Sequence, residues 1–334
     1  MKTMKTVRLA AAQPLSAKAR RMRQLPNDPA GRRDHFLKYN LGASTYDETY
    51  VRQYGESYLL YLEAWVKKAA ARNVELLLFP EFCFVPGVLA SPAPEIAPNP
   101  HAVKDAVHLY AWSGRLFAES LARWSREHRL LIGAATLMSR GGRLYNTGLL
   151  ADVDGTLVLQ YDKIHLPSDE AVHFTPGRTY DVAETTIGRI GFAICYDIQF
   201  PEATAALAVQ GAQLVLHPSA GYTLPDETRD MGRNRLRVRA SDHFSALLYS
   251  SFAPLESGGP GGSCVIAPNG DVRAAVPGSG TGMAVGETTI QEKRKWPNDQ
   301  ESAPDRESVR RQYRRPETYH VLAKRSAEKT GTGE

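Results

Sequence analysis

The run GFAICYDIQFPE, residues 191–202, decides how the rest of the chain is read. GFAIC is small and apolar, the texture of a strand covered on both faces. Asp197 follows Cys195 by two residues. Pro201 and Glu202 then suit the first turn of a helix, where proline's missing N–H costs nothing and a carboxylate complements the helix dipole. A buried strand therefore delivers a cysteine to a turn just ahead of a helix. Such a thiol could fill a core, bind metal or attack a substrate.

Working outward, strands and helices alternate. VRLAAAQ (7–13), VELLLFP (74–80) and LLIGAAT (130–136) are apolar runs without alternation, expected to be buried strands. Between them, Tyr58, Leu62, Trp65, Val66 and Ala69 recur at helical spacing within 48–72. Leu109, Trp112, Leu116, Leu121 and Trp124 do the same within 103–128. RLYNTGLLAD and TLVLQYD form a hairpin about Asp154-Gly155. DVAETTIGRIGFAICYD (181–197) reads as two strands about Gly188, AQLVLHPSA (212–220) as a strand and 226–243 as a helix. ALLYSSFA, GSCVIAP and DVRAAV close the series as strands. This pattern predicts a mixed-sheet α/β protein. Residues 16–46, basic and punctuated by Pro and Gly, read as an inserted irregular arm. The expected organisation is one domain over residues 1–290 and a polar extension over 291–334.

Bulk properties exclude several classes. Of 334 residues, 43% are hydrophobic and 23% charged, ordinary for a soluble protein. No apolar run approaches the roughly 20 residues that span a membrane, and the apolar stretch after Met1 is too short and alanine-rich for a signal peptide. A cytosolic location is expected. The net charge of +5 is concentrated in RDMGRNRLRVR (229–239) and beyond residue 290, without stacking aromatics or a helix-turn-helix, so no nucleic-acid partner is expected. Three scattered cysteines, with no C-x-x-C, argue against a disulfide framework and a structural zinc site.

Three polar residues end or follow buried strands: Glu81, Lys163 and Cys195. Together they suit one chemistry. A thiol with an ordinary pKa of about 8.5 is mostly protonated at neutral pH. A carboxylate can take its proton and an ammonium can stabilise the thiolate. The same ammonium can hydrogen-bond the oxyanion formed when a carbonyl or nitrile carbon is attacked. The backbone N–H of Tyr196 is a natural second donor.

FPE (79–81), DKIHLP (162–167) and CYDIQFPE (195–202), in that order, resemble the carbon–nitrogen hydrolase (nitrilase) superfamily, its amidase or carbamoylase branch. AAAQ (10–13), RVRASDHF (237–244) and GGSCVIAPNGDV (261–272) match its flanking elements, so the resemblance covers most of residues 5–290. It implies a four-layer α-β-β-α sandwich, a homodimer or higher homo-oligomer and no cofactor. It also makes Cys195 the nucleophile, Glu81 the general base and Lys163 the oxyanion stabiliser. Glu170, ahead of AVHFTPG (171–177), matches a second glutamate that orients the lysine; the short loop leaves Asp169 as the other candidate.

The expected activity is hydrolysis of a non-peptide C–N bond in a small amide or N-carbamoyl compound through a cysteine acyl-enzyme. Cys-Tyr-Asp, where nitrilases tend to carry Cys-Trp-Glu, favours amides; nitrile hydrolysis and a catalytically idle interaction module are the alternatives. His217 is a candidate pocket residue, or a satisfied histidine at a strand end. Cys83 and Cys264 read as packed thiols, Arg189 as a surface residue in a hairpin turn, His165 as a structural hydrogen-bonder and Asp197 as a brace for the nucleophile turn.

Overall fold

A computed structural model describes residues 5–25, 27–89, 94–220, 229–254, 261–277, 280–290 and 315–323. The chain divides into two units, Met1–Ile290 and Gln291–Glu334. In the second, residues 315–323 make two short 3-10 turns, Pro316–Thr318 and His320–Ala323. The remainder of the expected extension lies outside the described residues.

The first unit is built on two six-stranded sheets. One contains β1 (Lys5–Gln13), β2 (Leu76–Leu78), β3 (Leu131–Arg140), β4 (Arg143–Ala151), β5 (Leu157–Asp162) and β12 (Gly282–Ile290), in the order β12-β1-β2-β3-β4-β5. The other contains β6 (Val182–Thr185), β7 (Gly188–Phe192), β8 (Leu214–Ser219), β9 (Ala246–Ser251), β10 (Cys264–Ile266) and β11 (Val272–Ala275), in the order β11-β10-β9-β8-β7-β6. Because strand side chains alternate, Leu76 and Leu78 face the opposite sheet with Val7, Leu9, Phe192, Leu214 and Leu216. Leu77 and Phe79 face the other way, onto α3 (Glu48–Ala70) and α4 (Ala102–His128), through Leu62, Trp65, Val66, Phe117, Leu121 and Trp124. Behind the second sheet, Leu207 of α6 (Pro201–Val209) and Leu236 and Ala240 of α7 (Arg229–His243) pack on Val215, Leu247 and Ile266. The result is an α-β-β-α sandwich. The sheets meet closely: a Cβ on Gly148 would come within 2.9 Å of the Phe192 ring.

Residues 16–46 are not an irregular arm. They fold into α1 (Ala17–Gln24) and α2 (Pro29–Tyr39). Ser16 caps α1 by accepting from the Ala19 N–H, and Asp28 caps α2 by accepting from the Gly31 N–H, with Pro29 in its first turn. Apolar periodicity is weak because an aromatic cluster does the docking: His35 and Tyr39 of α2 stack at 4.9 Å and meet Tyr54 of α3 edge-on. Two further features went unread in the sequence. β12 pairs antiparallel with β1 along its whole length, Lys5 opposite Ile290 and Gln13 opposite Gly282. β3 continues to Arg140 and turns through Gly141-Gly142, both at positive φ, directly into β4.

The expected strands at 212–220 and 246–253 appear as β8 and β9, and α7 covers the described part of the helix expected over 226–243. Among the described residues no helix is long and apolar enough to cross a membrane.

Strands β1, β2 and β3 run parallel, as do β7, β8 and β9. β5 is antiparallel to β4, itself antiparallel to β3, so β5 ends at the same edge as β2 and β3. Glu81 and Lys163 follow β2 and β5 at this edge, and Cys195 follows β7 of the second sheet.

Candidate active site

Glu81 follows β2 through Phe79-Pro80 and is fully buried. Its position is fixed by backbone bonds from Phe79 N to Gly133 O and from Cys83 N to Ala135 O, both 2.8 Å, on either side of a left-handed turn at Phe82 (φ 51°). Lys163 follows β5. Its N–H donates to Asn146 O and its carbonyl accepts from Gly177 N, both at 2.9 Å. Gly177 has to be glycine, since a side-chain carbon there would collide with the Asp162 carbonyl oxygen. The segment HFTPG is thus a clamp on the lysine turn.

The Lys163 ammonium is buried and lies between two carboxylates. It donates to Glu81 Oε1 at 2.8 Å and to Glu170 Oε1 and Oε2 at 2.7 and 2.9 Å. Glu170 therefore holds the lysine, and Asp169 beside it is exposed. Glu170 sits in α5 (Ser168–Ala171), a single turn held by bonds from Glu170 N and Ala171 N to Pro167 O. Asn146 of β4 completes the group: its amide nitrogen donates to Glu81 Oε1 at 2.8 Å and reaches Glu170 Oε2 at 3.4 Å. Asn146 was missed in the sequence; an asparagine at a buried strand position, in the run RLYNTGLLA, was the available signal.

Burial works against the ammonium, yet Glu81, Cys195 and Glu170 hold the Lys163 pKa above the ordinary lysine value. Burial and the neighbouring Glu81 charge push Glu170 up to about 7, against the pull of Lys163. Two carboxylates share one ammonium, so a proton is readily held among them.

Cys195 lies three residues beyond β7 and opens a 3-10 turn, Cys195–Gln199, with its own φ at 44°. That left-handed conformation is costly for a non-glycine residue. The cost is met by Asp197, which is fully buried. Its Oδ2 accepts from Ile194 N at 2.9 Å and from the Tyr161 hydroxyl at 2.7 Å. Its Oδ1 accepts from His165 N and Nδ1, both at 2.9 Å. Asp197 is the expected brace, and His165, stacked 3.7 Å from Phe200, the expected structural hydrogen-bonder. The thiol itself is within hydrogen-bonding reach of Glu81 and accepts from Ser219 Oγ at 3.3 Å. Burial and the Glu81 charge push it up to about 12, Lys163 and Ser219 opposing. The resting sulfur is a thiol.

The remaining candidates fall around this centre. The half-buried Tyr196 ring lies edge-on to Phe200 at 5.5 Å, and its backbone adjoins the nucleophile. His217 is buried in β8; its Nδ1 meets Ala193 O at 2.7 Å and its ring stacks on Tyr249 at 5.3 Å. Burial lowers its pKa to about 4, so the ring is neutral and the hydrogen is assigned to Nδ1 facing the carbonyl. The contact supports the segment entering the cysteine turn. Cys83 and Cys264 are buried, and desolvation raises both thiols.

The family model described as Carbon-nitrogen hydrolase matches residues 51–298. An N-carbamoylputrescine amidase of Solanum tuberosum is 35% identical over 116 residues, 32% of this chain and 39% of that protein. An omega-amidase NIT2 of Xenopus tropicalis is 29% identical over 168 residues, 46% of this chain and 55% of that protein. The matched stretches thus span between two-fifths and just over half of these relatives. In fold, the chain resembles the crystal structure of an amidase from Nesterenkonia sp., with a TM-score of 0.65 at 23% identity over 95% of this chain and 96% of that one.

Proposed function

The chain belongs to the carbon–nitrogen hydrolase family, and from that premise we propose that it hydrolyses a non-peptide C–N bond of a small amide or N-carbamoyl compound by acyl transfer through Cys195. The observation that carries this reading is the buried Lys163 ammonium, bonded to both Glu81 and Glu170 beside a half-buried thiol. The names of the relatives, an N-carbamoylputrescine amidase and an omega-amidase, support an amide or N-carbamoyl target.

In this reading the Cys195 thiol gives its proton to Glu81 as the sulfur bonds to the carbonyl carbon. Coupling the two events avoids a free thiolate, whose cost the raised thiol pKa expresses. The oxygen becomes an oxyanion and accepts from Lys163 Nζ and from the Tyr196 N–H. An ammonium has three N–H groups; with one on Glu81 and one shared between the two Glu170 oxygens, the third is left for the oxyanion. Glu81 then returns the proton to the nitrogen, the C–N bond breaks, and ammonia or an amine leaves a thioester on Cys195. Water attacks the thioester, its proton going to Glu81. The second tetrahedral species collapses, the acid departs, and the sulfur recovers its proton from Glu81. Glu170 keeps Lys163 oriented throughout. The unit acting here is residues 1–290; pairing of two chains and a cytosolic location belong to the same proposal.

The test measures ammonia release across matched amides, N-carbamoyl compounds and nitriles, with intact-mass detection of an acyl adduct. Turnover of amides or carbamoyl compounds with an adduct on Cys195 is expected. Preferential turnover of nitriles would move the reading to a nitrilase. No turnover, no adduct and no reaction with a mild alkylating agent would leave an idle module.

A further inference from the structure

We propose that Ser219 is a further catalytic residue, donating its hydroxyl hydrogen to the Cys195 sulfur and stabilising that sulfur whenever it carries negative charge. The inference rests on Cys195 being the nucleophile.

Ser219 is the last residue of β8 and is buried. β8 lies beside β7, the strand that leads into the cysteine turn, so its end delivers Ser219 to the same edge. The Oγ–Sγ separation of 3.3 Å is a hydrogen-bonding one. A sulfur that carries negative charge has no hydrogen to give, so in this bond Ser219 donates and Cys195 accepts. The Ser219 side chain also interacts with the Tyr249 phenol, and Tyr249 is buried and stacked on His217. Burial holds that phenol well above the ordinary tyrosine range, so it keeps its hydrogen, and it also interacts with the Ser251 side chain.

The Lys163 ammonium already serves two carboxylates, Glu81 and Glu170, as well as the sulfur. Glu81 itself opposes charge on the sulfur. A neutral donor adds no charge to this crowded group. Negative charge reaches the sulfur twice, once as it loses its proton to Glu81 and once as it leaves the second tetrahedral species. Ser219 donates at both moments, keeps its own proton, and forms or breaks no covalent bond.

The experiment uses the full chain and needs no substrate. Iodoacetamide modification of Cys195, followed by peptide mass spectrometry from about pH 6 to about pH 10, reports the thiolate population. Ser219→Ala is expected to slow modification about tenfold across this range, the scale of losing one hydrogen bond to a charged group. Ser219→Thr and Ser219→Val form an isosteric pair that keeps or removes the hydroxyl. Threonine is expected to stay within about twofold of the parent while valine behaves as alanine does, and this pair decides the matter if the alanine variant does not fold. Equal modification rates for the hydroxyl and non-hydroxyl variants would overturn the proposal. A lowered melting temperature with an unmoved profile would do the same, since packing alone leaves the thiolate population unchanged. Failure of the hydrolase reading is a separate result, seen as undiminished turnover in Cys195→Ala.

Discussion

Glu81 accepts a hydrogen bond from the Ala220 backbone N–H at 2.7 Å, reaching from the first sheet to the residue that follows the last strand position of β8 in the second. Its other oxygen accepts from Lys163 and Asn146. Every oxygen of this carboxylate thus faces a donor, and the base is held from both sheets at once.

Glu81→Gln tests that arrangement. An amide has one acceptor oxygen and one NH2. In either orientation its NH2 meets a donor, Ala220 N–H on one side or the lysine and asparagine on the other. The variant is expected to lose turnover by about a thousandfold or more and about 1–3 kcal/mol of stability, measured by ammonia release and urea denaturation. Unchanged stability would contradict the hydrogen-bond assignment.

Lys163→Met removes the ammonium and leaves two buried carboxylates facing each other. Breaking a buried ion pair from one side costs about 3–5 kcal/mol, and loss of an oxyanion donor costs about 10²–10³ in rate. Adding Glu170→Gln to the same chain is expected to recover part of the stability and none of the rate. Thermal unfolding and turnover of the single and double variants separate the two effects.

Glu170 makes stability depend on pH in a defined direction. Its pKa is raised from an ordinary 4.5 to about 7, so between those values the native state holds its proton more tightly than the unfolded chain does. The associated stabilisation is complete below the ordinary value and is lost as pH rises through about 7. Glu170→Gln imitates the protonated form. The difference in unfolding free energy between parent and variant should therefore shift in the variant's favour across that window. A difference independent of pH would show that Glu170 titrates normally.

Asp197→Asn targets the turn rather than the chemistry. All four bonds to Asp197 come from donors, so an amide must place its NH2 against some of them. Loss of about 2–3 kcal/mol is expected, with slower Cys195 alkylation as the left-handed turn relaxes. Alkylation as fast as in the parent, despite lowered stability, would detach Asp197 from the sulfur's geometry.

Much of this was legible in the sequence because it is local. Continuous apolar runs marked β2, β3 and β8, and the residues just past β2, β5 and β7 were the ones that converge. Glu170 could be picked but not separated from Asp169, since only the α5 turn decides which carboxylate faces the lysine. The 16–46 helices were hidden because their caps are short signals and their docking uses His35 and Tyr39 rather than an apolar stripe. β12 alternates buried and exposed positions too irregularly to read as a strand, and pairs with a partner at the opposite end of the unit. The cysteine was expected at a strand end; instead the strand stops at Phe192 and the thiol sits on a left-handed turn. Asn146 and Ser219 act by where they point across the sheets, and no spacing encodes that.

The pairing of β1 with β12 has a consequence for biosynthesis. At translation rates of about 5–20 residues per second, the first strand waits roughly a quarter of a minute to a minute before its antiparallel neighbour leaves the ribosome. During that interval one side of β1 has no ladder partner and is open to adhesion between nascent chains. Closing this edge of the first sheet thus waits on residues 282–290, and a truncation that removes them leaves that side of β1 without its ladder partner.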